Sequence, residues 1–318
     1  MTGQTKTRNQ HYVQQALLRN WSLDKTKKKK DMEINCIEFN NDRSIASLPR
    51  SRLITDVFNA DYLYGKSSKY EDELFGSGIE KDFQNWVKKI RSSKFLHDRR
   101  IQEYILYQIC RTKYIIDICN HNEEVLHNRC FDSLKDEARK AGVSKDDVKS
   151  FHEDKYGQNK GYVGALDDII LPSVKSFTDL LKKQKLIISD IDLFIGDNPV
   201  IIIRPFGNSS SNLFSDLCAM ILLPISPNEI VALYLPEGCE VKDDYKFNNN
   251  EAHCFNSFQI QQSYKFIAYY KNFDECEYEP YLKDTMVHKT MMCDGFQFPL
   301  LQELHYSGLD SCFRNILK

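Results

Sequence analysis

Eight polar residues spread along the chain have the side-chain types that phosphate chemistry uses: His11, Glu73, Glu80, Gln108, Arg111, Asp197, Asn198 and Asn256. A histidine can take a proton or ligate a metal, a carboxylate can assist it or protonate a leaving oxygen, and an arginine can hold the charge of a phosphate. Gln108 and Arg111 stand three apart and share a face of a helix, whereas Glu73 and Glu80 share one only if Gly76-Ser77-Gly78 between them stays helical. His11, Glu80, Arg111, Asp197 and Asn198 are therefore the candidate catalytic residues, and Gln10, Gln108 and Asn256 are candidate binding residues. The set suits a divalent metal in type without specifying one.

Each candidate also has a plainer role. Asp197-Asn198-Pro199 is a good turn on its own account, because Asp and Asn side chains bond nearby amides and Pro fixes φ. His11, next to Tyr12 and Val13, fits a buried, hydrogen-bonded histidine. Arg111, amid apolar helix positions, fits an ion-pair partner, with Glu80 as one candidate acid. The first 30 residues hold eight Lys or Arg against Asp24 alone, a local charge of +7. Their densest part, Lys27, Lys28, Lys29 and Lys30, must be solvated, either as a surface loop or as an arm that binds phosphate.

Other chemistry is excluded by motif. The sequence has no Gly-x-Gly-x-x-Gly or Walker-type loop, no Gly-x-Ser-x-Gly elbow and no His-Glu-x-x-His. Cys119, His121, His127 and Cys130 are zinc-ligand types, but not at a zinc-knuckle spacing. With 43 Lys and Arg against 45 Asp and Glu, the net charge of -2 argues against a whole surface that coats nucleic acid or anionic membrane. Apolar runs such as Ala219 to Leu223 and Val200 to Ile203 are far short of a span, so no membrane partner is expected. Ten cysteines without a Cys-x-x-Cys pair read as reduced thiols, and a polar start from Met1 to Arg8 leaves the cytoplasm as the expected location.

The elements that position these residues follow from periodicity. Ile34, Ile37 and Phe39 suggest a strand. Leu74, Ile79, Phe83, Trp86, Val87 and Ile90 recur at helical spacing, with a bend at Gly76-Ser77-Gly78. The pattern predicts one long helix from about Asp98 to Cys119 and another from about Asn122 to Lys140. A short helix capped by Ser144 follows, then a loop over Gly157 to Gly164 and a helix over Leu166 to Leu181. Short β-branched runs from Leu186 to Leu235 predict antiparallel strands with Asp197 to Pro199 at a turn and a polar loop at Gly207 to Asn212. Asn256 can cap a helix through Lys271. The resulting fold class is α+β, a helical block followed by an antiparallel sheet in one compact unit. It divides into a basic arm over residues 1–30, an α+β domain over 31–271 and a C-terminal extension over 272–318.

Four separated segments, taken in order, resemble one family. They are Asn9 to Val13 with Leu18-Arg19-Asn20-Trp21, the stretch holding Glu73-Leu74 and Ile79-Glu80, Phe194 to Val200, and Leu223-Pro224-Ile225-Ser226-Pro227. Gln108 to Thr112 and Phe255-Asn256 fit the same pattern, which is that of the domain of unknown function family 4238, signed by an N-terminal His-Tyr-Val-Pro motif. Two positions depart from it: Gln14 stands where that family has Pro, and Lys113 where Pro often follows Arg-Thr. The resemblance implies a shared fold and no defined activity. Two function classes therefore stay open. One is a phosphodiester hydrolase of nuclease type, with the lysine run attracting nucleic acid. The other is a non-catalytic binding module for a protein partner, in which the polar motifs lock the fold.

Overall fold

The computed structural model describes residues 9–40, 42, 44–64, 70, 75–76, 78, 80–93, 98–156, 160–178, 183–203, 220–234, 241–283 and 290–299. Glu73 and the polar loop expected at 207–212 lie outside them. The chain enters as strand β1 (Asn9–His11), followed by the single turn α1 (Gln15–Leu18) and a 3-10 turn ending at Trp21. Strands β2 (Glu33–Phe39) and β3 (Ile45–Leu53) come next, then β4 (Asn59–Asp61), which pairs antiparallel with β1 and places Asn59 opposite His11. Phe58 and Tyr62 flank β4 with φ of +57° and +52°. Bulky side chains seldom adopt that conformation, so the surrounding packing must hold them there.

The helical block follows. Helix α2 (Phe83–Ser93) buries Phe83, Trp86, Val87 and Ile90, the face its spacing predicts. Phe83, Trp86 and Tyr104 form an aromatic cluster with ring centroids 4.5 to 5.3 Å apart. Burial of such a ring contributes about 1.5–3 kcal/mol. The long helix expected from Asp98 to Cys119 is in fact two. Helix α3 (Arg99–Cys110) is capped by Asp98, and α4 (Lys113–Ser133) by Thr112, whose hydroxyl accepts from the amide of Ile115. Arg111 lies at the break, and Thr112 supplies the cap that periodicity alone does not reveal. Lys113 is the first residue of α4, the position at which Pro is best tolerated, so the family's Pro and this Lys suit the same backbone.

Helix α5 (Lys135–Lys140) is short, and α6 (Lys145–Tyr156) starts at the predicted Ser144, which exchanges hydrogen bonds with Asp147. The expected loop at Gly157 to Gly164 is instead partly helical, as α7 (Lys160–Ala165). Its Gly161 lies so close to α4 that a Cβ there would stand 2.4 Å from the carbonyl oxygen of Cys119. A wide π turn over Leu166–Ile170 leads into α8 (Leu171–Thr178).

Two sheets close the core. Strands β5 (Lys183–Ser189), β7 (Ile201–Ile203), β8 (Met220–Ser226) and β9 (Glu229–Tyr234) form an antiparallel set in the order β5-β9-β8-β7, as predicted. The two-residue β10 (Lys246–Phe247) adds to it in parallel beside β5. The other sheet has the order β3-β2-β11-β6, from β6 (Ile195–Gly196) and β11 (Phe266–Tyr269) together with the two early strands. The class is α+β, but strands from before the helices pair with strands from after them, so the order is not simply helices and then sheet. Asp197-Asn198-Pro199 joins β6 to β7 across two different sheets rather than turning a hairpin.

Helix α9 (Asn249–Gln262) begins seven residues ahead of Asn256. Asn248 caps it in a reciprocal box with Glu251, and the chain is a strand again by Phe266. Asn256 is thus an interior, buried position. Tyr12, Val13, Leu17, Leu18 and Trp21 are buried in the same core as α2, α3, α4 and strand β8, so the basic entry segment is anchored within the body. Beyond residue 272, α10 (Glu275–Lys283) packs its Tyr278 against Phe194 and Phe273. A hairpin of β12 (Thr290–Cys293) and β13 (Phe296–Pro299) meets α4 through Arg129 and Asp294 at 2.6 Å.

Candidate functional site

One polar cluster is organised around the backbone of His11. Arg111, at the α3–α4 break and with its side chain 3% exposed, donates from Nη2 to the His11 carbonyl at 2.6 Å and from Nε to the Tyr64 hydroxyl at 2.7 Å. Its Nη1 pairs with Glu80. Tyr64 in turn donates its hydroxyl to the same His11 carbonyl at 3.1 Å, and the Phe75 ring lies 4.3 Å from the guanidinium centre. The Arg111–Glu80 pair that sequence offered as the plainer alternative is therefore present. The amide of Glu80 bonds the carbonyl of Phe75, five residues back, at 2.8 Å. Gln10 accepts from the Tyr64 amide at 2.6 Å, and Gln108 donates to the Tyr12 carbonyl at 2.7 Å, so both hold the entry segment by its backbone.

The imidazole of His11 faces a different way. Its Nε2 lies 3.3 Å from the carbonyl of Ile54, which can only accept, so Nε2 carries the proton. That leaves the Nδ1 lone pair toward the side-chain amide of Gln15, at 3.4 Å. Gln15 also accepts from Arg19 at 2.9 Å, giving a chain Arg19–Gln15–His11 at four-residue intervals. Burial, opposed by the Ile54 bond and aided by the nearby Arg111 and Arg19 charges, lowers the pKa of His11 to about 4. The ring is neutral at pH 7.

These groups open on a cavity of about 650 Å³ whose wall includes His11, Gln14, Arg19, Lys25, Lys29, Glu80, Lys81 and Arg111, with apolar surface from Met32 and Phe83. Five cations face a single carboxylate, a net charge of +4. Glu80 is already neutralised by Arg111, while Arg19, Lys25, Lys29 and Lys81 have no ion-pair partner among the described residues. Arg19 is partly desolvated, which lowers its pKa, and its buried Nε has no hydrogen-bond partner. The side-chain oxygen of Gln14, a residue 5% exposed, is likewise unpartnered.

The sequence candidates thus separate into two groups. His11, Glu80, Arg111 and Lys29 share the cavity. Lys27 pairs with Glu33 at 2.6 Å, and Lys28 and Lys30 are exposed outside its wall. Asp197, 1% exposed, does not line it. Its carboxylate accepts the amides of Tyr264, Lys265 and Phe266 and so fastens the end of α9 to the start of β11. Asn198 gives its carbonyl to Gln262 at 2.6 Å. Asn256 accepts from the Phe194 amide at 2.8 Å and donates to the Asp192 carbonyl at 3.0 Å. With Gln259, which donates to the Pro199 carbonyl at 2.8 Å, these residues form a row of amides on α9 that grips the 192–200 segment. The sequence reading missed Gln14, Gln15, Arg19, Lys25 and Lys81. The 11, 15, 19 spacing was the signal available for two of them.

Among the described residues no group of three or more His, Cys, Asp or Glu is placed to hold a metal ion, and His127 pairs with Glu123 while His121 meets the Gly295 carbonyl. No described helix is long and apolar enough to cross a membrane. Fold and site together define an α+β protein whose N-terminal strand is pinned by a buried Arg–Glu pair beside a basic, histidine-bearing cavity. The family model described as Protein of unknown function (DUF4238) matches residues 9–272, and the chain belongs to that family. Neither the curated proteins nor the solved structures include a match to it.

Proposed function

We propose that this protein is a phosphodiester hydrolase of nuclease type, acting in the cytoplasm on nucleic acid or nucleotides. The observation that carries the proposal is the cavity whose wall brings Arg19, Lys25, Lys29 and Lys81 together with a neutral histidine. Unpaired cations held together cost free energy unless an anion completes them, and phosphate is the anion that Arg and Lys recognise best. His11, with its Nδ1 lone pair, is the proposed general base or metal ligand. Arg19, Lys25, Lys29 and Lys81 are the proposed phosphate contacts, with Arg111 holding Glu80 and the His11 backbone in place. Asp197, Asn198 and Asn256, assigned catalytic or binding roles from sequence, are better supported as fasteners of the fold. The free thiols of Cys36, Cys110 and Cys119 support a reducing compartment.

A second reading, a non-catalytic interaction module, draws support from the bonds that Arg111, Gln108, Asp197 and Asn256 make to the backbone. One experiment separates the two. Purified protein is incubated with labelled RNA and DNA, with divalent metal and with chelator, beside the His11→Ala variant. Cleavage that falls about 10²-fold or more in the variant, assayed at a temperature at which circular dichroism shows both proteins folded, is the expected result. No cleavage under any metal condition, with a protein partner still bound, gives the second reading the field.

A further inference from the structure

The wall of the cavity carries more information than its charge. At about 650 Å³ its volume lies within the range of small-ligand pockets, and it opens broadly to solvent. Its cations come from three stretches of chain: Arg19 beside the α1 turn, Lys25 and Lys29 in the loop before β2, and Lys81 just ahead of α2. Met32 and Phe83 add an apolar surface to the same wall. A phosphodiester brings one negative charge, whereas a phosphate monoester brings close to two and three strong acceptor oxygens. A wall charge of +4 is matched better by the second.

Gln14 adds a contact of the opposite kind. It is almost fully buried, and its side-chain amide donates to the Glu80 carbonyl at 3.2 Å while its own oxygen has no donor. An acceptor left unsatisfied beside so many cations fits a ligand that brings a hydroxyl along with its phosphate. Gln14 has φ of -57°, the angle that Pro imposes, so the family's motif residue would fit this backbone without supplying that acceptor.

We infer that the cavity takes a terminal phosphate monoester carried on a nucleoside, either a free nucleotide or the phosphorylated end of a single strand, with Arg19, Lys25, Lys29 and Lys81 on the phosphate and Gln14 accepting from a sugar hydroxyl. This rests on the phosphate reading of the site and goes beyond it in naming the end, rather than the interior, of a strand.

Calorimetric titration of the whole chain tests it with five probes: a nucleoside 5′-monophosphate, the bare nucleoside, inorganic phosphate, and one short single-stranded RNA with and without a 5′-phosphate. Phosphorylated probes should bind at least about tenfold more tightly than their unphosphorylated counterparts. Lys29→Glu, a change at an exposed residue that leaves the core untouched, should remove most of that preference. Gln14→Pro should weaken the nucleotide severalfold and leave inorganic phosphate unaffected. Preference for the mononucleotide over the phosphorylated strand identifies a free nucleotide as the source, and the reverse identifies a strand end. Equal binding with and without the terminal phosphate overturns the inference, even if the protein cleaves RNA internally and the hydrolase reading stands. Tight, phosphate-dependent binding without any cleavage upholds the inference and removes the hydrolase.

Discussion

Replacing Arg111 by Met keeps much of the volume of the side chain and removes the charge that four neighbours share. The His11 carbonyl keeps only its Tyr64 bond, the Tyr64 hydroxyl loses a donor, and Glu80, 15% exposed, is left as a carboxylate without its counter-ion. Removing one partner of a buried pair costs about 3–5 kcal/mol, chiefly because the other charge stays desolvated. That is a large share of the roughly 5–15 kcal/mol that holds most folded chains together. Arg111→Met should therefore lower the urea midpoint sharply, and Glu80→Gln alone should also cost stability, since Arg111 is then the stranded charge. The double variant should cost clearly less than the sum of the two, with a coupling of about 1–3 kcal/mol. Urea unfolding followed by circular dichroism measures all three. Additive effects, or a loss below about 1 kcal/mol for Arg111→Met, would refute the claim that this pair pins the entry strand.

Other outcomes follow from the same contacts. The folded-state pKa of His11, about 4, lies below its ordinary 6.5, so the unfolded chain binds the proton first. Stability should be full above about pH 6.5 and fall by roughly 3 kcal/mol on acidification through pH 4, and His11→Gln should flatten that part of the profile. Asp197→Ala should cost about 2–4 kcal/mol by stranding three amides, without changing nucleotide affinity as read by titration. Gly161→Ala should destabilise by about 1–3 kcal/mol, measured by thermal melting, because the new methyl meets the α4 backbone. Charge reversal at Lys29 should weaken oligonucleotide binding and reduce its salt slope more than reversal at Lys27, which already has Glu33 as its partner.

Much of the architecture was legible because it is local. The α2 face, the Ser144 cap and the antiparallel β5-β9-β8-β7 set each follow from spacing within a short window. What failed was set by tertiary contacts. Thr112 ends one helix and starts another inside an unbroken apolar periodicity, and the capping box at Asn248 moves α9 well ahead of Asn256. At the site, the Arg111–Glu80 pairing that residue types offered is present, and His11 lines the same cavity. Asp197 has the same chemical type, but three backbone amides claim its carboxylate, and only the fold reveals such a claim. Arg19, Lys25 and Lys81 went unnoticed because each is an ordinary Lys or Arg until the chain brings it to the wall that Lys29 and Arg111 share.

The entry segment also fixes when the site can exist. Asn20 donates to the Ile225 carbonyl at 2.6 Å and Trp21 to the Leu193 carbonyl at 2.8 Å, so residues near the start of the chain are secured by partners some 200 positions later. During synthesis the histidine and its lysines leave the ribosome first and wait for strand β8. At about 5–20 residues per second that delay is roughly 10–40 s, in which Asn20 lacks its β8 partner although much of the core around Leu17, Leu18 and Trp21 has already been made. A nascent or truncated chain ending before residue 193 would carry every residue of the cavity and still lack both of these late anchors, which ties the finished site to completion of the sheet.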